Sequence, residues 1–150
     1  MRLNLKTYLI FLLCVNSVKF FAQDKALDSL KLALKNAKHD TTRCNILNML
    51  AEKASDDEWP KFNEQLKQLA EKNITNNLEP KKVYLNHLAS SFNNTGFAYH
   101  IQGDIPKALE YFGKSLKIQE DVGDKEGFAT SLNNIGAIYQ NQGDIPKALE

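Results

Sequence analysis

Residues 89–110, ASSFNNTGFAYHIQGDIPKALE, recur forty residues later as residues 129–150, ATSLNNIGAIYQNQGDIPKALE. Fifteen of the 22 positions are identical, and Gly96 and Gly136 stand at the same place in each stretch. Similarity this close at a fixed spacing indicates that one structural unit has been duplicated. Because such units cannot bury an apolar face alone and must stack on their neighbours, the sequence predicts a solenoid.

Each copy has the pattern of two helices joined by a tight turn. In the first copy Phe92, Gly96 and Tyr99 fall on one helical face. A glycine within a helix costs about 1 kcal/mol relative to alanine, which is explained if a second helix approaches closely there. Gly103 and Asp104 then predict the end of one helix and the N-cap of the next. The second copy repeats the packing face as Leu132, Ile135, Gly136 and Tyr139. The sequence therefore predicts an all-α solenoid of antiparallel helix hairpins.

The order of residue types in these hairpins resembles the tetratricopeptide repeat. Its pattern of aromatic, Leu, Gly, Tyr, Ala, Phe and Ala is matched by Phe92, Thr95, Gly96, Tyr99, Ala108, Phe112 and Ser115, with threonine and serine as the two departures. The unit is 40 residues long, against the usual 34. In this it is similar to repeats of kinesin light chains, peptide-sensing bacterial regulators and exported N-terminal parts of bacterial sensor kinases. The resemblance covers about residues 84–150 and implies a fold that binds protein partners.

Residues 1–22 have the layout of a secretory signal peptide. Arg2 and Lys6 precede an apolar run, YLIFLLCV, and Ala22 offers a small residue for cleavage. The run is too short to cross a bilayer, which takes roughly 20 apolar residues. A buried N-terminal helix is the alternative, but such a helix would carry a polar stripe. We therefore expect an exported protein of the periplasm or cell envelope.

Between this leader and the clear repeats, the sequence predicts a short helix and one weaker hairpin. The expected segments are an amphipathic helix at residues 23–40, a degenerate capping repeat at 41–74, a clear repeat at 80–123 and a truncated repeat at 124–150. The last segment stops seven residues into a helix whose counterpart extends to about Val122. That ending predicts that the protein continues beyond Glu150.

Charge and motifs argue against an enzyme and against a nucleic-acid-binding protein. Without the leader, 16 basic residues stand against 18 acidic ones, so we expect no basic patch for nucleic acid. His39, His87 and His100 each lack a second ligand at metal-binding spacing, and Cys44 has no neighbouring base to activate it. The acidic run of residues 56–58 is explained by a helix start, where the dipole favours carboxylates. No phosphate loop, nucleophile elbow or dinucleotide motif occurs in the sequence, so we expect no cofactor and no metal.

One group of polar residues remains, on the side of the helices away from Gly96. In the families that the repeats resemble, this side lines a concave groove where asparagines hold the backbone of an extended peptide. An amide side chain suits that role because it both donates and accepts hydrogen bonds. The resemblance therefore implies a peptide-binding groove at Asn93, Asn94, Asn133, Asn134, Phe97, His100 and Gln140. The alternative is that the asparagines are ordinary surface residues that the duplication copied.

Two functions are compatible with these observations. The first is a non-catalytic scaffold that binds a protein or peptide segment. The second is the N-terminal sensory region of a bacterial signalling protein, a histidine kinase or a transcriptional regulator, whose output domain follows downstream. Contact with a membrane is expected only through such downstream sequence. A further apolar run of about 20 residues before a kinase-like region would favour the sensor, whereas more repeats would favour the scaffold.

Overall fold

The computed structural model describes residues 25–148, and this part of the chain contains helices and no strand. The predicted leader lies outside the described residues. The all-α prediction is confirmed for the described part. Its helices are α1 at residues 25–36, α2 (Asp40–Lys53), α3 (Trp59–Thr75), α4 (Lys81–Ile101), α5 (Ile105–Val122), α6 (Lys125–Asn141) and α7 (Ile145–Ala148).

Consecutive helices from α2 onward pair as hairpins, α2 with α3, α4 with α5, and α6 with α7. The first helices of the hairpins also contact one another in series, α2 with α4 and α4 with α6. The helix α4 therefore lies at the centre, in contact with α2, α3, α5 and α6. A chain in which each hairpin packs on the next is an α-solenoid.

The tight turn within each repeat is built from a glycine and an aspartate, as the sequence predicts. Gly103 ends α4 with a φ of 80°, in the left-handed region that glycine adopts without a steric penalty. Asp104 then caps α5, because its Oδ1 accepts a hydrogen bond from the backbone N–H of Lys107 at 3.3 Å. The turn between α5 and α6 uses the same device, and Asp124 accepts a hydrogen bond from the N–H of Gly127 at 3.1 Å. Each new helix thus starts within two residues of the glycine.

Gly96 allows α4 to approach α5 closely. A Cβ atom at this position would lie 2.8 Å from Cδ1 of Phe112, whose side chain is fully buried. Tyr111 completes the contact, with ring centroids 6.1 Å from Phe92 and 5.5 Å from Tyr99. The predicted packing face of the first copy is therefore confirmed.

The second copy packs differently from the expectation. Leu132 is 40 % exposed, although its counterpart Phe92 packs on Tyr111. The fully buried apolar residue of α6 is Ile138, which the sequence analysis did not single out. It packs against α5 of the preceding hairpin, because it lies on the face by which hairpins stack.

The described core consists of two clusters. One joins α2, α3 and α4 through Cys44, Leu47, Leu66 and Tyr84. The other joins α5 and α6 through Ala108, Phe112 and Ile138. Burial raises the pKa of the Cys44 thiol to about 11. The thiol is therefore protonated at neutral pH and acts as a small apolar core residue.

Candidate binding site

A cleft of about 520 Å³ opens between the α2–α3 turn and α4. The end of α2 contributes Ala51 and Glu52, the start of α3 contributes Trp59, and the last turns of α4 contribute Phe97 and Ile101. Phe97 is 53 % exposed and Ile101 is 71 % exposed. These two side chains are four residues apart and so lie on one face of the helix. The cleft therefore combines an apolar wall with open access, and its volume is in the range of ligand sites.

The structure brings together three of the seven residues that the sequence assigns to a binding groove. Asn93, Asn94 and Phe97 line the cleft. The other four are not part of its lining. Asn133, Asn134 and Gln140 belong to α6, one repeat further along, and His100 is partly buried near the end of α4. Three of the four first-repeat residues assigned to the groove therefore line this cleft.

Asn94 is held by a buried amide that the sequence analysis did not identify. Its Nδ2 donates a hydrogen bond to Oδ1 of Asn63 at 3.2 Å. Asn63 is 5 % exposed, and its own Nδ2 donates to the carbonyl oxygen of Ser91 and to Oγ1 of Thr95, both at 3.0 Å. Because both the nitrogen and the oxygen of this amide form hydrogen bonds, the free-energy cost of burying it is offset. Asn63 therefore joins α3 to α4.

Asn93 forms the corresponding link from α4 to α6. Its Oδ1 accepts a hydrogen bond from Nδ2 of Asn134 at 3.0 Å. Beside this pair lies buried Ser131, whose hydroxyl donates to Oε1 of Gln119 at 2.8 Å, and Ser115, which donates to the backbone of α4 at 2.9 Å. Asn133 is exposed, whereas Asn93, Asn94 and Asn134 are partly buried. Those three have hydrogen-bonding partners across helix interfaces.

The sequence held a partial signal for the residues that were missed. Ile101 follows Phe97 at helical spacing, on the side away from the α5 contact, so an exposed apolar pair was detectable. Asn63 is three residues before Leu66 and seven before Ala70, on the apolar face of α3, and a polar group there indicates a buried hydrogen bond. The contribution of Trp59 had no local signal, because it depends on how two hairpins meet.

The rim of the cleft is acidic. Glu52 and Asp56 line it, and its lining includes no lysine, arginine or histidine. The Glu52 carboxylate accepts a hydrogen bond from Nδ2 of Asn48 at 2.7 Å, which orients it. Glu58, close by in sequence, is paired instead with Lys31 at 2.8 Å. The cleft also lies at the C-terminal ends of α2 and α4, which carry negative poles of the helix dipoles, and at the start of α3, which carries a positive pole.

The described residues contain neither a cluster of metal ligands nor a helix that could span a membrane. Between residues 25 and 148 no three His, Cys, Asp or Glu side chains come together as metal ligands do. In the same part of the chain no helix is both long enough and apolar enough to cross a membrane.

The stacked hairpins define the class of protein as a helical repeat protein, in which extended faces of the array are available to partners. The family model for the tetratricopeptide repeat matches residues 87–150. Residues 87–150 therefore consist of tetratricopeptide repeats, and the resemblance noted from the sequence is confirmed for these residues. No curated protein and no solved structure matches the chain.

Proposed function

We propose that this protein is a non-catalytic scaffold that holds a segment of a partner protein in the cleft beside α4. The observation that carries the proposal is the exposure of Phe97 and Ile101 inside a cleft between two hairpins. Large apolar side chains that are exposed together, with polar groups around them, mark interaction sites. Tetratricopeptide repeats generally bind proteins, which supports the same conclusion.

The size and lining of the cleft favour a peptide segment over a folded domain. A volume of about 520 Å³ takes a few side chains, while a folded partner needs a broad face. Asn93 and Gln102 line the same cleft. Their amide groups can pair with any peptide backbone, since they donate and accept hydrogen bonds.

Site-specific photo-crosslinking in the host cell tests this proposal. A photoreactive phenylalanine analogue replaces Ile101 in the cleft, and in a second variant it replaces Lys117 on the exposed side of α5. We expect a defined adduct with one or a few partners from position 101, detected by mass spectrometry, and none of these adducts from position 117. Identical adducts from both positions, or none from position 101, would contradict the proposal.

We also propose that residues 1–22 direct export, because their basic, apolar and small residues follow the order of a signal peptide. The mature chain then starts near Gln23. N-terminal sequencing of the protein recovered from the cell envelope tests this. An intact Met1 on protein from the cytoplasm would count against it.

A sensory arm of a signalling protein is a second candidate, favoured by the same leader pattern in residues 1–22. In that case the segment bound in the cleft is the signal, and an output domain follows further along the gene. Reading the coding sequence downstream of residue 150 distinguishes the two, since only the sensor requires a membrane span of about 20 residues and a signalling domain.

A further inference from the structure

We infer that the cleft beside α4 selects an extended peptide with a lysine or arginine next to a large apolar residue. This inference rests on the proposed function and adds the chemistry of the partner. It follows from two independent observations, the place where the two repeat copies differ and the charge around the cleft.

The two repeat copies differ at seven of 22 positions, and three of the seven line the cleft. The second copy has alanine, isoleucine and asparagine at the positions that correspond to Phe97, Ala98 and Ile101. The first copy therefore has two large apolar side chains on the open face where its duplicate has a small one and a polar one. The remaining stretch from Gln102 to Glu110, which forms the turn and the start of α5, is identical.

The difference at Ala98 accounts for the open space. Its counterpart is Ile138, which is fully buried against the preceding hairpin. An isoleucine at that position fills the contact between neighbouring hairpins, whereas the methyl group of Ala98 is too short to reach across. The space beside Ala98, between α4 and the α2–α3 turn, is the cleft.

The charges around this space select a cation. Glu52 and Asp56 line it without a basic residue among the lining side chains. Two helices, α2 and α4, end beside it and one helix, α3, begins there, so the negative helix poles outnumber the positive one and add to the carboxylates. The faces of Trp59 and Phe97 offer further attraction for an ammonium or guanidinium group. An acidic peptide would face Glu52 and Asp56 with no basic side chain among the lining residues.

The two features require an apolar side chain and a cation on the same peptide. The apolar side chain packs between Trp59 and Phe97, in the space beside Ala98. The neighbouring basic side chain reaches Glu52 or Asp56 at the rim. Backbone contacts to Asn93 are independent of sequence, so these two side chains set the specificity.

A phage-displayed library of random peptides, selected on the purified chain, tests the inference. We expect enrichment of peptides with lysine or arginine next to a large apolar residue. The Ala98→Ile variant obstructs the part of the cleft beside Ala98, and we expect it to lose at least about tenfold in affinity for a synthetic peptide of the enriched sequence. The double variant Phe97→Ala, Ile101→Asn gives the same loss through exposed positions that do not affect folding.

Neutralising the rim isolates the charge. The double variant Glu52→Gln, Asp56→Asn should bind the same synthetic peptide with about tenfold lower affinity. Higher salt should lower the affinity of the unmodified chain for that peptide. The matched control is Glu120→Gln with Asp121→Asn, which removes the same charge from the exposed end of α5 and should leave the affinity unchanged within about twofold.

Each other outcome overturns a distinct claim. Enriched peptides that are acidic or uncharged, yet lose binding to Ala98→Ile, would overturn the basic specificity and leave the scaffold in place. Enriched peptides that bind Ala98→Ile equally well would overturn the choice of cleft. If no peptide is enriched, the inference is wrong, and the crosslinking experiment then decides separately whether the scaffold function stands.

Discussion

The two junctions between hairpins differ in how the space between them is filled. The first joins α4 to the α2–α3 hairpin, and the second joins α6 to the α4–α5 hairpin. At the second junction Ile138 is fully buried and fills the contact, while at the first junction Ala98 lines an open cleft. The helix turns and the start of the second helix are identical in the two copies. The residues that are identical in both copies form the hairpin. A few residues that differ between the copies decide whether the space between hairpins is packed or open.

The largest expected effect is on the free energy of unfolding, when each junction receives the residue of the other. Ile138→Ala removes a fully buried side chain and leaves a cavity, so the free energy of unfolding should fall by about 2–5 kcal/mol. Ala98→Ile places its side chain in open space and should change that free energy by roughly 0.5 kcal/mol or less. Urea unfolding followed by far-UV circular dichroism measures both. Equal losses would mean that the two junctions are packed alike.

The glycines of the two copies provide the next comparison. Gly96→Ala brings a Cβ within 2.8 Å of the buried Phe112 ring, so we expect a loss of about 1–3 kcal/mol in the free energy of unfolding. At Gly136 the nearest described atom is the carbonyl oxygen of Ala148 at 3.3 Å. The better helix propensity of alanine, about 1 kcal/mol, should then offset most of the strain in Gly136→Ala. A loss at position 136 as large as that at position 96 would show that α7 packs as closely as α5.

Alanine variants of the repeated asparagines should differ from one another in stability when they are measured by the same urea unfolding. Asn93→Ala removes the acceptor of the Asn134 amide, and a hydrogen bond of this kind contributes about 0.5–1.5 kcal/mol to stability. Asn133→Ala changes an exposed residue of the described structure and should stay within about 0.5 kcal/mol. Identical unfolding midpoints for the two variants would mean that the link from α4 to α6 is unimportant for stability.

The smallest expected effect on stability is that of His87, which has a glycine forty residues later, at position 127. Burial lowers the pKa of His87 below its ordinary value of 6.5. The unfolded chain therefore takes up this proton at a higher pH than the folded chain does, and stability is lost as the pH falls through 6.5 toward the folded pKa. His87→Gln should flatten that part of the stability curve, measured by urea unfolding between pH 7.5 and about pH 5. An unchanged slope would mean that His87 is hydrated in the folded state.

The fold could be predicted from the sequence because its signals are local. The glycine and aspartate at each turn, the spacing of Phe92 and Tyr99, and the duplication itself all indicate helix hairpins that stack. For the cleft, the sequence singled out Asn93, Asn94 and Phe97 among the residues that line it. What could not be predicted is which polar groups bond across hairpins. Asn63 and Asn134 find their partners on other helices, about thirty and forty residues away.

Asn93 takes part in two different contacts. Its side chain lines the cleft, and its Oδ1 holds the Asn134 amide of the next repeat. An occupant that bonds to Asn93 alters the strength of that second contact, so filling the cleft and docking α6 become thermodynamically coupled. The coupling is reciprocal, and any event that tightens or loosens α6 changes the affinity of the cleft by the same factor. Amide exchange in α6, compared with and without bound peptide, reports it directly. In an array of such repeats, one shared amide would then transmit the occupancy of a site to the neighbouring repeat.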